Sequence, residues 1–380
     1  MLGSLGSCVL SSVSGWLSFK RVKPKNNKRS GLALTILAGG VILAIFGLLA
    51  IYDASVVEGY KDFSDKFHFV KQQAVWLVIG IVVSLFAAGF PLATLKKYSH
   101  VFLLGCLFLM VLVLIPGIGS KFLGARRWII FGPIVIQPSE LIKIALILYL
   151  ARWLEVSRSL KQFLALLGLC LGLVMLQPDL GTGVVIVGTC FILYYLSGAN
   201  LKDISIFMGL LVITMSVLVF ASPYRMNRLK TFMDPTSDPL GASYHINQVL
   251  YGLGSGGLTG VGVGQSRQKF AYLPEATTDS IFVIIAEEFG FIGGAAVILG
   301  LVGLCLASLN IAAKTTDRFD KLLSSGVSLL FLTQIFVNLS AMTALMPLTG
   351  VPLPFISYGG SSLVTNFLSL GLLANVAKKL

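Results

Sequence analysis

Asp279 is the residue in this chain best placed to do chemistry. It stands where a long stretch ending Tyr272-Leu-Pro-Glu275-Ala-Thr-Thr278 runs into an apolar segment. A carboxylate at the mouth of an apolar helix is expensive to bury unpaired. Two compatible roles account for it. One is a helix N-cap, which suits aspartate and the helix dipole. The other is a general base that stays ionised near water and takes a proton from a hydroxyl. Glu287 and Glu288 follow eight and nine residues on, about 12–14 Å deeper at about 1.5 Å per residue. Adjacent acids at that depth must face protein, water or a cation rather than lipid.

Four other constellations carry polar chemistry inside apolar surroundings. Gln137-Pro-Ser-Glu140-Leu-Ile-Lys143 opens a helix, with Pro138 in the first turn and Glu140 and Lys143 on one face. That pair either neutralises itself or offers Lys143 to a ligand or to Asp279. Gln177-Pro-Asp179-Leu-Gly-Thr182 reads as a tight turn in which Asp179 caps the next helix. The run Gly252-Leu-Gly-Ser-Gly-Gly-Leu-Thr-Gly-Val-Gly-Val-Gly264 precedes Arg267 and Lys269. Its glycines permit either close approach of backbone amides to a phosphate or packing of a re-entrant segment. No Gly-Lys-Ser/Thr follows, so it is not a nucleotide loop. Finally, Pro347-Leu-Thr-Gly-Val-Pro-Leu-Pro354-Phe-Ile-Ser357-Tyr-Gly359-Gly360-Ser361 enforces irregular backbone. Such backbone is either a plain turn or the lining of a cavity at membrane depth.

The elements that must position these residues are transmembrane helices. Of 380 residues, 56% are hydrophobic and 12% charged, with a mean hydropathy of +0.89; a soluble chain carries about 25% charged residues. Apolar runs near the length of about 20 residues that spans a bilayer recur throughout. The expected fold is an all-α polytopic membrane protein. Its spans fall near 31–52, 70–90, 101–116, 138–153, 161–177, 179–197, 202–222, 279–308, 322–346 and 358–376. A large extracytoplasmic loop, 223–278, separates spans seven and eight, and it is long enough to imply a function. Residues 1–30 read as a cytoplasmic tail and 31–380 as a single ten-helix membrane domain, loop included.

Charge sets the orientation. The net charge of +13 is dispersed in short loops, which argues against nucleic acid as a partner. The tail cluster Lys20, Arg21, Lys23, Lys25, Lys28 and Arg29 alternates with outer loops. So do Lys96, Lys97, Arg152, Arg158, Lys161, Lys202, Lys314, Arg318, Lys321, Lys378 and Lys379. The positive-inside rule then places both termini in the cytoplasm. Two outer clusters break the rule: Lys121 with Arg126 and Arg127, and Arg225, Arg228 and Lys230 with Arg267 and Lys269. They are solvated or lipid-headgroup contacts, or they hold an anionic ligand at the outer leaflet. The five cysteines have no metal-ligand spacing and read as packing residues.

Taken together, several motifs resemble the SEDS family, which comprises the division protein FtsW, the elongation protein RodA and the sporulation protein SpoVE. They are Gly124-Ala-Arg-Arg-Trp128, Gln137-Pro-Ser-Glu140, Gln177-Pro-Asp179, Leu273-Pro-Glu275 with Thr278-Asp279, Ala286-Glu-Glu-Phe-Gly290 and Ile356-Ser-Tyr-Gly-Gly-Ser361. They occur in family order over about residues 31–376. Tyr52-Asp-Ala-Ser55 and Phe67-His-Phe-Val-Lys71 look closer to FtsW and SpoVE. The resemblance implies a ten-helix enzyme of the bacterial plasma (inner) membrane that polymerises lipid II into glycan strands at the outer face. It implies a class B penicillin-binding protein as crosslinking partner, with other divisome or elongasome proteins nearby. The family's essential aspartate falls on Asp279.

Joined to the residue reading, this makes Asp279 the base on an acceptor 4-hydroxyl. The expected substrate contacts are Arg126, Arg127, Glu140, Lys143, Arg267, Lys269, Ser357, Gly359 and Gly360. A divalent cation, Mg2+ or Mn2+, would suit the departing pyrophosphate, though no ligand cluster requires one. A lipid II flippase and a non-catalytic scaffold for the transpeptidase stay open as alternatives, because intramembrane charge and broken helices suit transport equally well.

Overall fold

In a bilayer every backbone polar group must be bonded internally, so apolar runs of this length become helices. The computed structural model describes residues 29–122, 125–132, 134–157, 159–220, 222–239, 241, 243–270 and 272–380. The expected tail up to residue 28, together with Gly124 and Arg158, lies outside them.

The first three helices are α1 (Arg29–Phe63), α2 (His68–Gly89) and α3 (Leu92–Leu112). After a short sheet come α4 (Pro138–Val156), α5 (Leu160–Leu176), α6 (Leu180–Leu196) and α7 (Leu201–Phe220). The outer loop carries α8 (Pro223–Met233) and α9 (Tyr244–Gly256), and α10 (Ile281–Lys314), α11 (Arg318–Met342) and α12 (Gly360–Lys378) close the chain. Seven of these, α1, α2, α3, α7, α10, α11 and α12, are long and apolar enough to cross a membrane. The apolar α5 and α6 are shorter, at 17 residues each. The 19-residue α4 is diluted by Glu140, Lys143, Arg152 and Glu155. Those ten helices occupy the ten expected spans.

Three features depart from expectation, one being that α3 runs from Leu92 to Leu112 where a span near 101–116 is expected. The first helix runs on to Phe63 rather than stopping near residue 52. Its 35 residues reach about 50 Å at about 1.5 Å per residue, well beyond a hydrocarbon core of about 30 Å. Asp53, Glu58 and Asp62 end the apolar run but not the helix, whose last turns are held by Lys269 on Asp53 and by Phe63 stacked on His68. The chain is also not wholly helical. Strands β1 (Gly119–Phe122), β2 (Ala125–Phe131) and β3 (Ile134–Ile136) form an antiparallel sheet in that order. Gly119 pairs with Ile129 and Ile129 with Ile136. The aromatic and β-branched stretch Trp128-Ile-Ile-Phe and Ile134-Val-Ile favours strand.

The core lies along α4, α11 and α12, whose side chains are the most thoroughly buried. By contrast α7 buries only Phe207, which stacks on Phe191 and tilts against Phe163.

The decisive local feature is a break in α10. Gly290 takes φ 68° and ψ −166°, outside the helical region. A break at this depth strands backbone groups, and the glycine-rich run supplies their partners. Val261 and Gly262 N–H donate to the carbonyls of Glu287 and Glu288 at 3.0 and 3.1 Å. Phe291 and Ile292 N–H donate to those of Gly257 and Leu258 at 2.9 and 3.2 Å. Side chains on Gly256 or Gly260 would collide with the α10 backbone. The glycines thus pack this segment against the break in α10.

Candidate active site

Asp279 lies two residues before α10, whose N-cap is Ser280. Its carboxylate caps no helical N–H; Thr278 Oγ1 donates to Asp279 Oδ1 at 3.3 Å. Freed from capping, the side chain is nonetheless 7% exposed. Burial pushes its pKa up to about 7, and the nearby Glu275 carboxylate adds to the rise, while Thr278 and the Arg228 guanidinium oppose it. It is therefore not the fully ionised surface acid expected from its place near water, but an acid–base group matched to neutral pH.

Three elements hold it there. Asn338, on α11, donates to the carbonyls of Asp279 and Val351 at 2.9 and 2.7 Å. The last outer turn comes alongside: a Cβ on Gly350 would stand 4.0 Å from Asp279 Oδ2, and Tyr358 N–H donates to Thr277 O at 2.9 Å. From α9, His245 Nε2 stands 2.9 Å from Ser280 Oγ. Burial, with the Arg228 charge, pushes His245 down to about 4, so it is neutral at physiological pH.

Beside this group a cavity of about 270 Å³ is lined by Asn227, Arg228, Thr231, Phe232, His245 and Leu348. Arg228 Nη1 donates to Leu348 O, tying α8 to the last outer turn.

The other expected site residues are distributed as follows. Lys143 and Glu140 pair at 2.8 Å and are almost wholly buried; Lys143 also reaches Gln334 Oε1 at 3.4 Å. Gln334 in turn donates to Pro352 O at 3.0 Å, so this pair supports the same turn that flanks Asp279. Lys269 Nζ sits between Asp53 at 2.8 Å and Glu288 at 3.0 Å. Burial disfavours its charge, yet those two bonds win and raise its pKa.

Glu287 accepts from Ser255 Oγ, Ser266 Oγ and the amides of Arg267 and Gln268. The two acids thus face protein, one of the three options open from sequence. Arg126 and Arg127 donate to main-chain carbonyls, Arg126 to Leu114 and Arg127 to Gln177 and Pro178 at the C-terminus of α5. Arg267 is exposed. Ser357 Oγ accepts from Leu353 N–H at 2.8 Å, Gly359 N–H donates to Gln73 at 3.2 Å, and Gly360 packs on Trp76. Asp179 caps α6 through Thr182 N–H at 3.1 Å.

Among the described residues no group of three or more His, Cys, Asp or Glu side chains is arranged to hold a metal.

Sequence reading placed Arg228 only as one member of a basic cluster and passed over His245, Gln334 and Asn338. The last two carried a signal: two carboxamides four residues apart within an apolar span share a helix face, and at that depth they need partners. Arg228 and His245 carried none, because residues far apart in the loop meet only on folding.

The likeness to known proteins extends over nearly the whole chain. The family model for FtsW, RodA and SpoVE, described as cell cycle protein, matches residues 33–380. Stage V sporulation protein E of Bacillus subtilis (strain 168) is 39% identical over 360 residues, covering 92% of this chain and 98% of that protein. A probable peptidoglycan glycosyltransferase FtsW of Geobacter sp. (strain M18) is 37% identical over 359 residues, covering 92% and 98%. A solved chain described under the structural coordination of polymerization and crosslinking by a peptidoglycan synthase complex superposes with a TM-score of 0.73 at 27% identity, covering 91% of this chain and 97% of its own. RodA of Thermus thermophilus gives 0.65 at 26%, covering 91% and 96%. With family order, fold and near-complete coverage agreeing, this chain belongs to the FtsW/RodA/SpoVE family.

Proposed function

We infer that the protein is a peptidoglycan glycosyltransferase that joins lipid II units into glycan strands, with Asp279 as the general base. The observation that carries this is Asp279 itself, a buried carboxyl poised near pH 7 beside a cavity that Arg228 and His245 help to line. An acid of ordinary pKa is too weak a base for a sugar hydroxyl at neutral pH; one near 7 combines useful ionisation with useful basicity. Asp279 takes the proton of the acceptor's 4-hydroxyl as that oxygen attacks the donor's anomeric carbon, with inversion. The lipid diphosphate leaves with the bonding electrons.

The surroundings serve this step by holding still. Asn338 fixes the main chain of Asp279, and the Lys143–Glu140 pair fixes the turn opposite through Gln334. A base held within hydrogen-bond reach of its substrate turns binding energy into rate. The break in α10, a feature that would suit a transport path, is filled by residues 257–262 of the same chain.

A crosslinking enzyme is the expected partner, since a strand must be tied into the wall as it grows. The similarity to a complex that coordinates both activities supports this reading. The multi-pass chain would lie in the bacterial plasma membrane with both termini inside, as an even number of spans and the basic loops favour.

The test is strand formation from lipid II by the purified protein in detergent. Wild-type protein should make long glycans and Asp279→Asn none. Strands at the wild-type rate from the variant would remove the base, and no strands from either protein would favour a transporter.

A further inference from the structure

We propose that one stripe of α2, with Gln73 at its centre, positions Asp279 by clamping the last outer turn. The proposal rests on Asp279 being the general base, as inferred above. Phe69, Gln72, Gln73 and Trp76 have the i, i+3, i+4 and i+7 spacing that puts residues on one helix face. All of them meet the same stretch, Ser357 to Gly360. The Phe69 ring lies edge-on to Tyr358 at 5.3 Å, and Gln72 Oε1 accepts from the Tyr358 hydroxyl at 2.5 Å. Gln73 Nε2 donates to Ser357 O at 3.3 Å, and its Oε1 accepts from Gly359 N–H at 3.2 Å. Trp76 packs so closely on Gly360 that a Cβ there would fall 2.4 Å from the indole.

The amide between the two bonds of Gln73 is the one that reaches the base. Tyr358 N–H donates to Thr277 O at 2.9 Å, two residues before Asp279. Both sides of this junction carry strained backbone. Glu275 has a φ of 53° and Phe355 one of 66°, unusual for residues with a side chain. Such conformations persist only where the surrounding structure over-determines them. Asn338 and Gln334, both on α11, hold the turn at Val351 and Pro352. Gln73 supplies the matching hold from α2.

Gln73 is 1% exposed, and both ends of its carboxamide are taken up by the turn. It is out of reach of a substrate and acts as a positioning residue. Ser357 and Gly359, expected among the substrate contacts, owe their main-chain placement to it.

Steady-state polymerisation of lipid II by the full chain in detergent, together with amide hydrogen exchange, tests the clamp. Gln73→Met keeps the length of the side chain and removes both bonds. It should lower kcat about tenfold or more and leave KM within about twofold, since no substrate contact is lost. Exchange should rise in residues 273–280 and 353–361 and stay at the wild-type level elsewhere.

The acid limb of the pH–rate profile should also move to lower pH. Burial is the main cause that raises Asp279, and a loosened segment is less buried. The charges that face it, Glu275 and Arg228, and the neutral His245 beside Ser280, are unaltered by the change. A folded Gln73→Met protein with wild-type kcat, an unmoved limb or exchange raised throughout the chain overturns the proposal. Should Gln73→Met fail to fold, exchange in the wild-type protein decides. Residues 353–361 must then be as protected as the core of α12, and fast exchange there overturns the clamp. An active Asp279→Asn protein would sink the base assignment while leaving the exchange results to decide whether Gln73 holds the turn.

Discussion

The side-chain amide of Asn338 donates to the main-chain carbonyl of Asp279 at 2.9 Å and, with its second hydrogen, to that of Val351. One carboxamide on α11 thus holds the reactive segment and the last outer turn in register. Replacing it by Leu leaves two buried carbonyls without a donor, at about 1–3 kcal/mol each. Asn338→Leu is expected to lower the melting temperature and to cut the polymerisation rate on the order of 100-fold through misplacement of the base. A folded variant with wild-type rate would show that the contact positions nothing.

The acid limb of the pH–rate profile should report Asp279. Its pKa is near 7, and a base works when ionised, so the rate rises with pH through that value. Glu275 raises the pKa and Arg228 lowers it. Glu275→Gln should therefore move the limb to lower pH and Arg228→Gln to higher pH. Shifts of the opposite sign, or none, would detach the limb from Asp279.

Gly290 has no substitute. Its φ of 68° is disfavoured for any residue with a Cβ, a strain of about 1–3 kcal/mol, and a Cβ there would also collide with Leu258 and Gly260. Gly290→Ala should loosen the 257–262 segment from α10. Faster proteolysis in the 250–270 region and loss of polymerisation are the expected readouts; wild-type resistance would contradict the interlock.

Lys269 bridges Asp53 on α1 and Glu288 on α10. Removing one partner of a buried ion pair costs about 3–5 kcal/mol, whereas removing all of them together is often nearly neutral. Lys269→Met alone should destabilise the protein strongly, and the triple change with Asp53→Asn and Glu288→Gln should recover most of the loss. If the single and triple variants melt alike, the bridge is not structural.

Sequence alone determined the solvent and hence the architecture. Runs such as 202–222 and 322–346 can only be helices in lipid, and the observed helices begin and end within about six residues of the expected spans except where α1 continues past its apolar run and α3 begins and ends earlier. Asp279 was legible for the same reason, since a carboxylate at that boundary has to be explained. Tertiary structure decided what the charges do. Lys269, Arg127, Lys143 and Arg228 look alike as basic residues near apolar runs, but each is bonded within the fold to a different partner. It also decided the glycine-rich run, whose partners are the carbonyls freed at Gly290 some thirty residues away. Partition between water and lipid acts residue by residue and can be read along a chain. Hydrogen-bond and ion-pair partners belong to pairs brought together from distant positions, and a linear pattern does not specify which pairs meet.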